Sequence, residues 1–367
     1  MIYTINNCIR AFGYTNFDKL IADMGSVDNL REYVRANGYA DIAVGEDTEL
    51  LLVDVNGKTW HTGCYGAVIE PPKPYLCFTS TGDSTVAMAQ NGTPNTSANK
   101  VIQYKLNNGR WQNWDMSAVT LADGDKMYIK SDDEIPISEV YNIYKVFVMS
   151  GSIAASGNIM SLLNFSDTLT VYAFYYLFRN CTSLTAAPEL PATTLTSNCY
   201  SQMFYGCTSL TAAPELPATT LSSYCYMRMF YGCTSLTAAP ELPATALTPS
   251  CYSNMFNGCT SLINAPALPA TTLEAYCYNS MFQGCSSLTT APELPATTLT
   301  NYCYFQMFTG CTKLNYVKAM FTDISATGCL DSWLNNVSPT GTFDKSKDAT
   351  WTKEQAYIPT GWTVQTA

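Results

Sequence analysis

From about residue 168 onward, apolar positions return at fixed intervals. In residues 199–221, Cys199, Met203, Phe204 and Cys207 fall at i, i+4, i+5 and i+8. That spacing suits one face of a short helix. Thr196, Ser197 and Asn198 stand before it as capping residues, and Gly206 can supply a left-handed stop. Residues 210–213 then read as a short extended segment, followed by a polyproline-like return through residues 215–220. Pro214 and Pro217 lack amide donors, so any strand here must be very short.

The same unit recurs every 26 residues. Cys181, Cys207, Cys233, Cys259, Cys285 and Cys311 form one column, and Cys199, Cys225, Cys251, Cys277, Cys303 and Cys329 form another. Only Cys8, Cys64 and Cys77 lie outside them. An unbroken period in the 20–29 range marks a tandem array in which each unit buries its apolar face against its neighbours. The reading predicts a right-handed solenoid over residues 151–330 with both cysteine columns inward.

Before the array, Phe17, Leu20, Ile21 and Met24 predict a helix ended by Gly25, and Val27, Leu30 and Val34 a second one capped by Ser26. Residues 49–55 and 58–62 flank Asn56-Gly57, a hairpin signal. Residues 71–74 read as a stiff proline linker. Short β-rich runs follow at 75–79, 85–89, 101–106, 110–114, 118–121, 126–130 and 144–149, with Asn107-Asn108-Gly109 and Asp123-Gly124-Asp125 as turns. The expected fold class is therefore multidomain. It comprises an α+β module (1–70), an immunoglobulin-like β-sandwich (75–150), an α/β leucine-rich-repeat solenoid (151–330) and a cap (331–367) built on Trp333, Leu334, Trp351 and Trp362.

Composition narrows the function. With 19 basic against 29 acidic residues the net charge is −10, which disfavours nonspecific nucleic-acid binding. His61 is the one histidine, so a His-based zinc site or a Ser-His-Asp triad is hard to build. No apolar run reaches the roughly 18 residues of a membrane helix. Residues 1–8 carry no basic-then-apolar pattern, so no secretory signal is expected. No paired carboxylates sit in a recognisable cleft motif of the glycosidase kind, and the chain is read as non-enzymatic, without cofactor or metal.

The cysteines admit three readings: buried thiols packing as small apolar groups, a disulfide ladder, or thiolates on zinc, which would need four converging ligands. Glu189, Glu215, Glu241 and Glu293 form a further column, broken by Ala267, that either faces solvent or shares a cation. Asp123-Gly124-Asp125 and Asp132-Asp133-Glu134 read as turn chemistry before calcium ligation. Of Trp111 and Trp114, one is expected in the core and one at the surface, unless the two form a sugar-stacking platform.

Phe204-Tyr205-Gly206-Cys207-Thr208-Ser209-Leu210, with equivalents at Phe230, Phe256, Phe282 and Phe308, resembles the BspA-like class of leucine-rich repeat over about residues 168–330. The resemblance implies a surface-binding protein of the kind found in gut bacteria and their phages. On that footing the chain is expected in a virion, as a fibre or appendage contacting a host-surface glycan or protein; the alternative is a bacterial cell-surface adhesin. Residues 1–70 would join other virion proteins, and the chain is expected to assemble with copies of itself.

Within this one chain the core columns repeat unchanged while four others vary. These run Asn198, Tyr224, Ser250, Tyr276, Tyr302; Ser201, Met227, Ser253, Asn279, Phe305; Gln202, Arg228, Asn254, Ser280, Gln306; and Tyr205, Tyr231, Asn257, Gln283, Thr309. All four are expected to point outward, by drift at exposed sites or by selection for contact. Tyrosine offers large, rigid contact area. Tyr205, Tyr224, Arg228, Tyr231, Tyr276, Tyr302 and Phe305 are accordingly the candidate binding residues.

Overall fold

The structure, a computed structural model, describes residues 27–36, 41–44, 49–53, 59–65, 74–92 and 100–366. It separates into two compact units, Met1–Lys73 and Pro74–Ala367. The helix expected around Phe17, the Asn56-Gly57 turn, residues 71–73 of the linker, and Cys8 lie outside the described residues, as do the side chains of His61 and Cys64.

In the first unit, helix α1 (Val27–Ala36) carries Arg35 in its last turn, where a cation suits the dipole. It buries Leu30 while Asn29, Arg31 and Glu32 face solvent. Strands β1 (Asp41–Val44), β2 (Glu49–Val53) and β3 (Thr59–Tyr65) form an antiparallel sheet in that order, pairing Val53 with Thr59 and Leu51 with His61.

The second unit begins with two sheets. One has the order β10-β5-β8, from β10 (Tyr144–Ser150), β5 (Ser84–Asn91) and β8 (Val119–Leu121). The other runs β12-β11-β4-β9-β6-β7, from β12 (Leu184–Ala186), β11 (Ile153–Ser156), β4 (Leu76–Ser80), β9 (Lys126–Lys130), β6 (Gln103–Leu106) and β7 (Gln112–Asn113). Alternation along the strands sends Leu76, Phe78, Val86, Met88, Met127 and Ile129 into a shared core. There the Phe78 and Phe147 rings meet edge to face at 4.9 Å. This arrangement is compatible with a β-sandwich.

The repeats correct the expected fold class. The second unit contains no α-helix among its described residues, only a 3-10 turn at Ile159–Leu163. The chain is β-rich with small sheets, and the α/β leucine-rich-repeat solenoid is not what forms. The reason lies in the period. Cys199-Tyr200, Met203-Phe204 and Cys207 return every four residues, whereas a helix advancing 100° per residue would drift ~40° at each such step.

The chain keeps an exact four-residue rhythm with consecutive tight turns instead. Asn198, Gln202 and Gly206 sit at φ of 57°, 56° and 71°, left-handed positions that no right-handed helix admits. Backbone amides divide their partners by parity. Cys199, Ser201, Met203, Tyr205 and Cys207 each donate to the carbonyl three residues back. Between them Tyr200, Gln202, Phe204 and Gly206 donate to Cys225, Met227, Met229 and Tyr231 of the next copy, at 2.7–3.1 Å. A left-handed non-glycine residue costs about 1–2 kcal/mol. The cross-copy bonds hold that conformation in place.

The turn series takes in the copies at both ends of the cysteine columns, with the same positive φ at Tyr172, Tyr176 and Asn180 around the first and at Gly328, Ser332 and Asn336 around the last. The boundary expected at 330/331 thus falls inside a copy, whose Leu330, Trp333 and Leu334 replace tyrosine, methionine and phenylalanine.

Copies stack in register, and the interior is two ladders of rings. Phe178, Phe204, Phe230, Phe256, Phe282 and Phe308 stack at 5.3–5.7 Å. Phe174, Tyr200, Tyr226, Tyr252, Tyr278 and Tyr304 stack at 5.8–6.1 Å. At the start, Phe147 on β10 stacks on Phe178 at 5.1 Å and its amide donates to Leu177, as Phe178 donates to Met203. β11 pairs in parallel with β12 of the first copy. One strand from each sheet therefore stands where a preceding copy would, and the core runs on without a break. At the far end both ladders reach Trp333. Strands β13 (Tyr316–Ala319), β14 (Gly341–Lys345) and β15 (Trp362–Thr366) close the end in parallel. Trp333, Trp351 and Trp362 are buried, and their indole N–H groups donate to Ala356, Phe321 and Ser338 carbonyls.

The phenolic oxygens of Tyr200 and Tyr252 are buried without a hydrogen-bond partner. An unmet hydroxyl in an apolar interior costs about 1–3 kcal/mol. Tyr252→Phe is expected to leave stability unchanged or raise it by about 1 kcal/mol or more. Chemical denaturation would check this, and a clear loss of stability would show that the hydroxyl is bonded.

Candidate functional site

The cysteines prove to be packing groups with one further task. All twelve column members are buried, with free thiols. From Cys207 to Cys311 each thiol of that column also donates to a phenylalanine carbonyl 29 residues earlier, Cys207 to Phe178 and Cys233 to Phe204 at 3.0 and 3.1 Å. Cys181 donates to the Phe147 carbonyl of β10 at 3.1 Å. Burial pushes the thiols of Cys181, Cys199, Cys233, Cys303 and Cys311 up to about 12. Cys207, Cys225, Cys259, Cys277 and Cys285 are raised well above the ordinary range by the same desolvation, with neighbouring thiols adding to it. Thiols held neutral in this way are poor nucleophiles and poor ligands. Among the described residues no three His, Cys, Asp or Glu side chains converge as a metal site would need.

The glutamate column faces solvent. Grooves of about 350–410 Å³ lie between successive proline-flanked segments, one lined by Glu189, Pro191, Glu215 and Pro217 and another in which Ala267 stands opposite Glu293. Glu293 pairs with Lys318 at 3.1 Å, both partly exposed, a contact worth little. The acidic turns are turns: Asp125 accepts from the Ala122 amide and the Asn107 side chain, and Asp123 from the Gly82 amide. Asp133 accepts from Lys100 at 2.9 Å, and the Lys100 side chain is almost fully buried. Trp114 is buried with its indole donating to Ser117. Trp111 is half-buried, with the Lys105 and Lys130 ammonium groups 5.4 and 5.2 Å from its ring. The two tryptophans thus form no common platform.

The variable columns separate by size. Tyr224 and Tyr276 are exposed at 42% each, and Arg228 is exposed too. Tyr205, Tyr231, Tyr302 and Phe305 are half-buried. The expectation that all four columns face outward is corrected at Ser201, Gln202, Ser250, Ser253 and Ser280, which are buried. Four of the five are serines, short enough to lie below the surface that their neighbours form, and the Ser201 hydroxyl donates to the Met227 carbonyl of the next copy.

The structure gathers the candidates into two aromatic clusters. Tyr205 and Tyr231 stack at 4.7 Å, and Tyr276 and Tyr302 at 4.8 Å with Phe305 edge-on to Tyr302. Gly328 supports the second cluster: a Cβ there would lie 2.4 Å from the Tyr302 ring. Between the clusters runs a chain of amides. Asn257 donates to Gln283 at 2.8 Å and to Asn254 at 3.1 Å, and Asn254 donates to Asn279 at 3.3 Å.

Sequence reasoning missed the first copy's share of this face. The Arg179 guanidinium lies 5.1 Å from the Tyr205 ring and 4.4 Å from Tyr176. Tyr176 in turn meets Tyr175 and Tyr144 at 3.8 and 4.7 Å. Burial, with Tyr176 beside it, raises the Tyr175 hydroxyl. Counting back 26 residues from Gln202 and Tyr205 would have found Tyr176 and Arg179. The signal was hidden because Ala173 stands where later copies have cysteine.

No protein-family model, curated protein or solved structure matches the chain. No helix among the described residues is long and apolar enough to cross a membrane.

Proposed function

We propose that this chain is a non-enzymatic binding protein whose stacked copies present the variable face to a partner surface. The observation that carries the reading is internal to the chain. Copies that keep their cysteine, methionine and phenylalanine core unchanged differ in the columns where Tyr205, Tyr224, Arg228, Tyr231, Tyr276, Tyr302 and Phe305 stand. Those seven are the residues with exposed or half-exposed aromatic or guanidinium groups, the chemistry enriched in contact surfaces.

The setting we favour is a virion fibre or appendage that contacts a host-cell glycan or protein. It rests on the repeat resemblance and on the separation of Met1–Lys73 as a compact unit of its own, suited to attachment or self-assembly. Copurification with intact particles supports this setting; recovery only from a cell envelope would favour the surface adhesin.

The face itself is tested by a triple variant. Tyr224→Ser and Tyr276→Ser copy Ser250 of the same column, and Tyr231→Asn copies Asn257 of its own. The backbone therefore meets residues it already carries at those positions. The circular dichroism spectrum and thermal midpoint should stay close to wild type, while adsorption to target cells falls about tenfold or more. Unchanged adsorption by the folded variant would remove this face from consideration.

A further inference from the structure

We infer that the variable face binds an uncharged, extended glycan lying along the stack, one sugar ring per copy. This rests on the binding reading above and names its ligand class. Three observations lead to it. The first is spacing. The stacked ring pairs repeat at 4.7 and 4.8 Å, the separation of neighbouring strands. Successive copies therefore offer equivalent side chains at about the length of one pyranose ring in an extended chain.

The second is hydrogen-bonding supply. Along the turns the backbone amides are committed, alternately to the local turn and to the next copy. A peptide adding as a strand needs free backbone donors and acceptors at an edge, and this face offers side chains instead. The amide chain of Asn254, Asn257, Asn279 and Gln283 carries both donors and acceptors. That mixture matches hydroxyl groups, which also do both. The C–H face of a sugar ring can lie on exposed Tyr224 and Tyr276.

The third is charge. The chain carries −10 overall, yet from copy two to copy six the four variable columns hold no carboxylate and a single cation, Arg228, while the first copy's Arg179 is engaged against the Tyr176 and Tyr205 rings. A polyanionic or strongly cationic ligand would find little complement there.

The test uses the intact protein and soluble neutral polysaccharides: β-glucan, mannan, galactomannan, xylan and dextran. In affinity electrophoresis at least one should retard the wild type. That retardation should persist when salt is raised severalfold, since no ion pair supports it. Oligosaccharides of that glycan should bind more tightly as they lengthen toward the number of copies. Tyr224→Ser with Tyr276→Ser should weaken binding about tenfold.

Retardation by none of the five, or retardation that disappears with salt, overturns the glycan assignment. The face reading is judged separately on cells. If the triple variant loses adsorption and protease treatment of the cells abolishes wild-type adsorption, the face stands with a protein partner and the glycan inference fails. If the triple variant adsorbs normally, the face reading itself fails.

Discussion

Under reducing conditions the protein is expected to unfold cooperatively near pH 10, well before ordinary globular domains of its size. The cause is the thiol columns. A cysteine in an unfolded chain titrates near 8.5, whereas Cys181, Cys199, Cys233, Cys303 and Cys311 are raised to about 12 by burial and Cys251 to about 11. A group whose folded value is raised contributes its full stability below the unfolded value and loses it as pH climbs toward the folded one. The loss therefore begins above about pH 8.5 and continues to about pH 12.

At pH 10 each fully buried thiol favours the unfolded state by about 1–2 kcal/mol. Leaving aside Cys329 at the end of its column, eleven such thiols sum to on the order of 10–20 kcal/mol, against a usual domain stability of about 5–15 kcal/mol. Tyr200, Tyr226, Tyr252, Tyr278 and Tyr304, also raised by burial, steepen the loss further above pH 10. Circular dichroism followed against pH, with reductant present, reads the midpoint. Replacing Cys233 and Cys259 with alanine should lower stability at pH 7 but make its further loss between about pH 8.5 and 12 shallower, because two fewer raised thiols titrate. A chain still folded at pH 11 would show that the thiols are not desolvated as the structure places them.

What the sequence made legible was long-range order, and what it hid was local conformation. A 26-residue period says that equivalent residues stack, because no copy can bury Phe204 or Cys207 alone. It does not say how the chain turns between them. Reading Cys199, Met203, Phe204 and Cys207 as a helix face omitted Tyr200, which belongs with Phe204 in a doublet. With Tyr200 included, the pattern is two inward and two outward, a period of four that a helix cannot hold. The left-handed residues were harder to see. Asn198 and Gly206 favour positive φ, but Tyr224, Arg228 and Tyr276 do not, and only the cross-copy hydrogen bonds impose it.

Strand β11 and the 3-10 turn after it gave no signal for a related reason. Ile153–Ser156 is short, and its partners, β4 and β12, come from either side of it in sequence. At the candidate face, identity within a column predicted large residues well and small ones poorly. Ser201 and Ser280 are buried although they stand in the same columns as half-buried Phe305 and exposed Arg228, so a column's place in the turn does not fix the exposure of a short side chain.

Phe256→Ala is the expected point of greatest mechanical damage, at about 3–5 kcal/mol. The ring lies between Phe230 and Phe282 at 5.6 and 5.7 Å and is fully buried. Alanine removes both stacking contacts and leaves a cavity that the flanking copies cannot easily close, because their spacing is set by backbone bonds. Those bonds do not depend on the ring. The Phe256 amide still donates to Met281, and its carbonyl still accepts from the Cys259 amide and the Cys285 thiol at 3.2 Å. The substitution therefore isolates side-chain packing from the turn ladder. Cys285→Ala provides the complement, losing the thiol's hydrogen bond and a much smaller volume, for about 1–2 kcal/mol. In a stack where each copy touches only its neighbours, a mid-array defect should also weaken cooperativity. Urea unfolding of Phe256→Ala should show a lower midpoint and a shallower or divided transition. A loss under about 1 kcal/mol with an unchanged slope would mean that the copies collapse freely around the gap, and that the ring ladder fills space without holding the stack in register.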